Sequence, residues 1–272
     1  MFYKPSQCHG VGINYRSAIA NDILQYAKEI DFIEMNTERL FFHSLNENLK
    51  NIIDIFPVTL HGLTLSLGEE NQVINKDYLS GLLKATQRVD CLWFSEHIGM
   101  TRTHNMELRS LMPVEFTEKS VDRIVKKVKL ISGLVAKPFL LENISYYYPM
   151  PMSTMSEVNF IKAVVEKADC GLLLDLNNLY INAINHHYDP YAFIDALPLE
   201  RIVEVHLAGC HYLYRMWVDT HATEVRLEVL ALFEYLCKLT RVNGVVIERD
   251  AKLERFSDLL SEIKIVREIL KS

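Results

Sequence analysis

Short apolar runs alternate with longer amphipathic stretches along the whole chain. Eight runs rich in Val, Ile, Leu and Phe stand out: Val11–Tyr15, Phe32–Asn36, Val58–Gly62, Leu92–His97, Phe139–Asn143, Gly171–Asn178, Ile202–Gly209 and Gly244–Asp250. Apolarity within them is continuous rather than alternating, as in strands buried on both faces of a parallel sheet.

Between the runs the period lengthens to three or four. Val121, Ile124, Val125, Val128, Ile131 and Leu134 follow Thr117 at that spacing, and Val158, Ile161, Val164 and Val165 follow Ser156, a candidate N-cap. Asp189-Pro190 reads as an N-cap with Pro at the first helical position. Val225–Leu239 and Phe256–Leu270 complete the helical patterns. Eight strands alternating with helices predict an α/β fold, a (β/α)8 TIM barrel forming a single domain over residues 1–272; a doubly wound open sheet is the main alternative.

The polar residues collect where the runs end. The second carries Glu34, the third His61, the fourth Glu96-His97, the fifth Glu142-Asn143, the sixth Asp175-Leu-Asn177-Asn178, the seventh His206 and the eighth Glu248-Arg-Asp250. In a parallel barrel these ends share one face, the face on which barrel active sites are built. Unpartnered charges converging there would cost several kcal/mol each, roughly, in desolvation and repulsion. Cations remove that cost. The set His61, His97, Glu142, Asp175, His206 and Glu248 mixes imidazole with carboxylate, which suits iron, manganese or zinc better than calcium or magnesium. So many ligands fit two or three ions bridged by a carboxylate. Asp219 and His221, two residues apart after the seventh run, are expected near the same face.

Composition narrows the field. Lys plus Arg number 29 against 35 Asp plus Glu, a net charge of −6, which argues against a general nucleic-acid or anionic-membrane binder. No run approaches the roughly 18 apolar residues of a membrane span, and the N-terminus lacks the apolar core of a secretory signal. Cys8, Cys91, Cys170, Cys210 and Cys237 are scattered without CxxC spacing and read as reduced thiols of a cytoplasmic protein. GxGxxG after a strand, a Walker P-loop, GxSxG and HExxH are all missing. Two loops are expected to face substrate or to pack locally: Ile98–Phe116, with Arg102, His104 and Arg109, and Ile144–Met155, with Tyr146, Tyr147 and Tyr148. His9, His43, His104, His186 and His187 read as structural or surface residues, with His186-His187, in the loop after the sixth run, also placed to face substrate.

Taken in order, Gly10–Arg16, Asp31–Glu34, Leu60–Gly68, Ser95–His97, Leu141–Asn143, Asp175–Asn178, His206–Gly209, Asp219–His221 and Glu248–Asp250 resemble the multinuclear non-heme iron-dependent oxidative enzymes. That family includes the iron subunit of methanobactin biosynthesis. The resemblance implies a xylose-isomerase-like barrel holding two or three iron ions, mixed Fe(II)/Fe(III), with O2 as co-substrate. It implies that His61, His97 and Glu142 hold one iron and that Glu142 bridges to a second held with Asp175, His206 and Glu248. Asn178, Asp219 and His221 would hold a third more weakly, with Asn177 an alternative to Asn178. The activity implied is oxidative modification of a residue, usually Cys, in a ribosomally made precursor peptide. A small leader-binding partner protein would form a heterodimer with the enzyme. The competing readings are a divalent-metal barrel isomerase, hydrolase or nuclease, and a non-catalytic metal- or peptide-binding subunit.

Overall fold

The apolar runs hide their backbones by pairing with one another around a closed ring. The computed structural model describes all residues except 1, 3, 42–44, 72, 104–105 and 272; His43 and His104 therefore lie outside the described residues. In chain order the strands are β1 (Gly10–Asn14), β2 (Ile33–Asn36), β3 (Val58–Gly62), β4 (Phe94–His97), β5 (Met100–Thr103), β6 (Met106–Met112), β7 (Phe139–Glu142), β8 (Gly171–Asp175), β9 (Ile202–Leu207), β10 (Cys210–Leu213), β11 (Met216–Asp219) and β12 (Gly244–Ile247). The helices are α1 (Ala20–Gln25), α2 (Glu47–Ile55), α3 (Lys76–Arg88), α4 (Glu118–Ser132), α5 (Glu157–Ala168), α6 (Leu176–His186), α7 (Pro190–Ala196), α8 (Leu227–Leu239) and α9 (Phe256–Lys271).

Strands β1, β2, β3, β4, β7, β8, β9 and β12 close a parallel barrel in that order, and β1 pairs with β12 to complete the ring. The barrel reading holds and the open sheet does not. Antiparallel hairpins β5–β6 and β10–β11 stand apart from it, inserted after β4 and β9. Each barrel strand is buried almost throughout, as continuous apolarity requires.

The helices form where their caps and periods predict. Thr117, Ser156 and Asp189 each accept a backbone N–H at a helix start, and Pro190 opens α7. Their apolar stripes pack on the barrel: Val121, Ile124, Val128 and Ile131 of α4, and Leu259, Ile263 and Val266 of α9, are buried. Four helices were not among the patterns read from sequence: α1, α2, α3 and α6. The Val225–Leu239 pattern yields a helix only from Leu227.

Two boundaries differ from expectation in ways that affect the site. The sixth run, read through Asn178, leaves the sheet at Asp175, because the Asp175 carboxylate accepts the Asn178 N–H at 2.7 Å and caps α6. Glu34 lies in the middle of β2 rather than at its end; Asn36 ends the strand. At the floor of the barrel, Trp93, Leu140, Leu173 and Val203 cluster against Phe2 and Leu92. Among the described residues no helix is long and apolar enough to cross a membrane.

Candidate metal centre

Strand register decides which polar residues meet. His61 pairs across the ladder with Ser95, His97 with Glu142, and Asp175 with His206. Laterally paired residues in a parallel sheet point to the same face, here the barrel interior. All nine residues expected as ligands come together around one mouth. His61, His97, Glu142, Asp175, Asn178, Asp219, His221 and Glu248 line a cavity of about 210 Å³, and His206 sits beneath it, fully buried.

Glu142 is the hub. Its Oε2 lies 3.3 Å from His61 Nε2 and 3.2 Å from His97 Nε2, and its Oε1 lies 3.5 Å from His206 Nδ1. His206 Nδ1 is also 3.2 Å from Glu248 Oε2, which in turn lies 3.6 Å from His221 Nε2. His221 Nε2 meets Asp219 Oδ1 at 2.9 Å. Three donor groups overlap in this way: His61–His97–Glu142, Glu142–Asp175–His206 and Asp175–His221–Glu248. Glu142 and Asp175 each belong to two of them.

Most of the imidazoles are held from behind. Ser95 Oγ lies 2.8 Å from His61 Nδ1 and donates to the Leu60 carbonyl, so the hydroxyl accepts from the ring. Glu96 Oε1 lies 3.3 Å from His97 Nδ1 and also accepts the His97 N–H. The other Glu96 oxygen accepts from the Tyr78 hydroxyl and the Leu65 N–H, which fixes the carboxylate. Gly62 makes room for this: a Cβ there would stand 2.5 Å from Tyr78 Oη and 2.6 Å from Glu96 Oε2. Glu34 Oε2 lies 2.9 Å from His206 Nε2, so His206 turns Nδ1 to the cavity. This is the carboxylate–histidine arrangement that orients metal ligands.

Burial and neighbouring charges perturb several members of the group. Burial by itself would lower the His97 imidazole, but the Glu142, Glu96 and Glu248 carboxylates raise it to about 9. Burial would raise Glu142, but His97, His61 and His206 bring it down to about 2. Burial, then Glu142, Asp219 and Glu248, push Asp175 well above the usual carboxylate range. His206 and His221 rise well above theirs against burial, His206 through Glu34 and Glu248, His221 through Glu248 and Asp219. The common cause is an excess of carboxylates in a dry space, where protons or cations must supply the balancing charge.

The donor atoms test whether cations fit. Glu142 Oε2, Asp175 Oδ2, Asn178 Oδ1, His206 Nδ1 and His221 Nε2 are buried without a hydrogen-bond partner. Orphan acceptors of this kind are rare in folded proteins. Their chemistry, imidazole nitrogen with carboxylate and amide oxygen, suits a first-row transition metal. Asn178 is preferred over Asn177: it lines the cavity, whereas Asn177 donates to Asp219 Oδ1 at 2.8 Å.

Sequence reading missed part of the site. Glu204 lies one layer below His206 and groups with Glu34 and His206. Its carboxyl accepts the Trp93 indole N–H at 2.7 Å, and burial pushes its pKa well up. The signal was present, since Glu204 and His206 are two apart on one strand and must share a face. The loops also sort differently. His186 faces away from the cavity, stacked on Tyr146 at 4.3 Å, and His211 pairs with Thr220. Tyr146 is buried, Tyr148 is exposed, and the Tyr147 hydroxyl accepts the Asp219 N–H at 3.4 Å. Under this loop, Glu157 accepts from the hydroxyls of Tyr146 and Tyr188 and from the Asn182 amide, and burial raises its carboxyl to about 7.

The fold and the donor clusters define a (β/α)8 barrel with a candidate multi-ion centre at the C-terminal ends of its strands. The chain belongs to the family described as RiPP precursor modification enzyme MbnB/TglH/ChrH, whose model matches residues 10–271. It is 33% identical over 274 residues to a UPF0276 protein of Caulobacter vibrioides, covering 98% of this chain and 95% of that one. A UPF0276 protein of Neisseria meningitidis serogroup B is 32% identical over 260 residues, covering 93% and 92%. Among solved structures, D-psicose 3-epimerase in the presence of D-fructose aligns with a TM-score of 0.67 at 13% identity, over 97% of this chain and all of that one. The E. coli 3-keto-D-glucoside 4-epimerase YcjR aligns with a TM-score of 0.64 at 14% identity, over 96% and 100%. At such identities these structures share the barrel, and nothing about their chemistry carries over.

Proposed function

We propose that this protein is a multinuclear iron, O2-dependent oxidative enzyme that modifies a residue, Cys foremost, of a ribosomally made precursor peptide, assisted by a leader-binding partner protein in the cytoplasm. The observation that carries the reading is the chain of overlapping donor groups joined by Glu142 and Asp175, lined with buried oxygen and imidazole-nitrogen atoms that form no hydrogen bond. In this reading His61, His97 and Glu142 hold one iron. Glu142 reaches a second, held also by Asp175, His206 and Glu248, and Asn178, Asp219 and His221 hold a third. Bound iron would supply a Lewis acid able to acidify a substrate thiol and a redox centre able to activate O2.

The chain's own residues set the rest. His206 is fully buried, whereas the His97, Asp219 and His221 side chains are 13%, 22% and 16% exposed. A substrate therefore approaches over His97 and His221, not through the floor. The Trp93–Leu140–Leu173–Val203 floor excludes water from below. The five free cysteines support a reducing compartment.

The test is metal content per chain by mass spectrometry, with iron oxidation state by Mössbauer spectroscopy and O2 uptake with a Cys-containing peptide encoded beside the gene. About two to three irons, partly ferric, with peptide-dependent O2 uptake, are the expected result. A single zinc or manganese that persists after anaerobic ferrous reconstitution would overturn it in favour of an isomerase or hydrolase. Full iron with no O2 uptake would leave a binding subunit.

A further inference from the structure

The cavity over the candidate ligands continues past its rim. Leu63, His97 and Leu111 line it, and the same three residues line a second cavity of about 470 Å³ along the β5–β6 hairpin. There the balance of charge shifts. The first cavity is walled mainly by carboxylates and imidazoles, with Arg16 among them; the second carries two arginines, Arg102 and Arg109, against the single carboxylate of Glu107, with the hydroxyls of Thr64, Thr101 and Ser110.

Among the described residues neither arginine is committed to a strong partner. Arg102 is 3.9 Å from Glu107, whose side chain is 74% exposed, a distance beyond hydrogen bonding and a pair weakened by solvent. Arg109 forms no ion pair with any other described residue. In a chain of net charge −6, two arginines beside a cluster of acids are not explained by the surface as a whole.

The backbone is shaped to present them. Met100 pairs with Met112 and Arg102 with Glu107, so β6 carries extra residues against β5 and bulges between those pairs. Arg109 sits in that bulge with a φ of +54°, the left-handed region that non-glycine residues rarely adopt. Bulges next to active sites re-aim side chains. The base of β5 is fixed to the core. Ser66 Oγ accepts the Thr101 and Arg102 N–H groups at 3.0 and 3.1 Å, and the Ser66 carbonyl accepts from the buried ammonium of Lys127.

We infer that the hairpin cavity is a carboxylate subsite in which Arg102 and Arg109 hold a carboxylate of the peptide, next to the residue presented over His97. The inference rests on the peptide-modifying reading above. Guanidinium groups take carboxylates through paired N–H donors, and a ligand carboxylate would replace the long Arg102–Glu107 contact. A side-chain carboxylate and a chain-terminal one share this chemistry, and the choice of probes separates them.

The experiment is isothermal titration of the iron-loaded protein with N-acetylcysteine, N-acetylcysteine amide and N-acetyl-Cys-Asp-amide, alongside N-acetylserine and its amide. Wild type is compared with an Arg102→Gln, Arg109→Gln double variant of equal metal content. A carboxylate should tighten binding about tenfold over the matching amide, and the double variant should lose that gain while keeping the amide affinity. The gain falling on N-acetylcysteine assigns a chain end; its falling on the Cys-Asp probe assigns an acidic neighbour. No gain, or a gain that survives both substitutions, overturns the subsite. An arginine-dependent gain in the serine pair, with the thiol adding nothing in the cysteine probes, keeps the subsite and removes the thiol reading instead.

Discussion

The two sides of the candidate centre are built differently. His61, His97, Glu142, Asp175 and His206 stand on barrel strands whose register is fixed by parallel ladders, with one shift between Leu172 and Leu173 where β8 meets β9. Each of the three imidazoles is braced from behind at 2.8 to 3.3 Å, by Ser95, Glu96 or Glu34. Asp219 and His221 sit at the end of a two-stranded hairpin and just past it. Their supports come from outside any barrel ladder: Asn177 Nδ2 donates to Asp219 Oδ1 at 2.8 Å, Tyr147 Oη lies 3.4 Å from the Asp219 N, and Asp250 lies 3.4 Å from His221 Nδ1. His221 also adopts a φ of +47°. The strand side is preorganised by the same bonds that hold the fold, whereas the hairpin side depends on a few tertiary contacts at a wetter rim. In the iron reading, the outermost ion should be the weakest.

The sharpest way to break this contrast is to remove one member of each side. Glu142→Gln should cost more than about one ion per chain and abolish turnover, because a single carboxylate serves two donor groups. His221→Ala should release about one ion and leave the strand-borne part loaded. Elemental analysis with circular dichroism checks both; equal losses from the two variants would erase the distinction.

A second prediction compares the site with the network under the Tyr loop. Burial raises Glu157 to about 7, so this carboxyl is protonated in the folded protein at pH values where the unfolded chain has released its proton. Its contribution to stability is full below its ordinary pKa of 4.5, declines as pH rises, and is lost above about 7. The size is on the order of 3 kcal/mol. Glu157→Gln should flatten that part of the denaturation profile, read as the difference from wild type between pH 4.5 and 8; an unchanged slope would place the titration elsewhere.

The smallest expected effect concerns the bracing itself. Glu96→Gln keeps the shape but weakens the acceptor behind His97, and should lower metal affinity about tenfold to a hundredfold in chelator competition. On the hairpin side the corresponding brace is Asp250, 3.4 Å from His221 Nδ1. If Glu96→Gln has no more effect than Asp250→Asn, the two sides are equally organised.

Much of the site could be read along the chain because its residues lie at or near the ends of apolar runs. A His or Glu closing a buried strand has one place to point in a barrel, which exposes His61, His97, Glu142, Asp175 and His206 to inspection. Glu34 and Glu204 were harder. Glu34 looked like a strand end but lies mid-strand, and Glu204 was hidden inside an apolar run, although its two-residue offset from His206 placed it on the same face. The break at Asp175 was also hidden, because the apolar pattern runs on while the carboxylate turns to cap α6. The hairpins after β4 and β9 read as loops because short exposed strands carry no buried period.

Eight continuous apolar runs, with capped helical patterns between several of them, predict a parallel α/β sheet and favour a barrel; the β1–β12 pairing is what excludes the open sheet. The donor types are equally plain in the chain, since the runs end in imidazole and carboxylate where barrels build their sites. Three further things needed the folded molecule. Glu142 stands among His61, His97 and His206; Asn178 rather than Asn177 faces the cavity; and two arginines on a bulged hairpin border it. Local pattern specifies what each segment hides or exposes, whereas the partner of a side chain depends on strand register and on how inserted hairpins fold back over the barrel mouth.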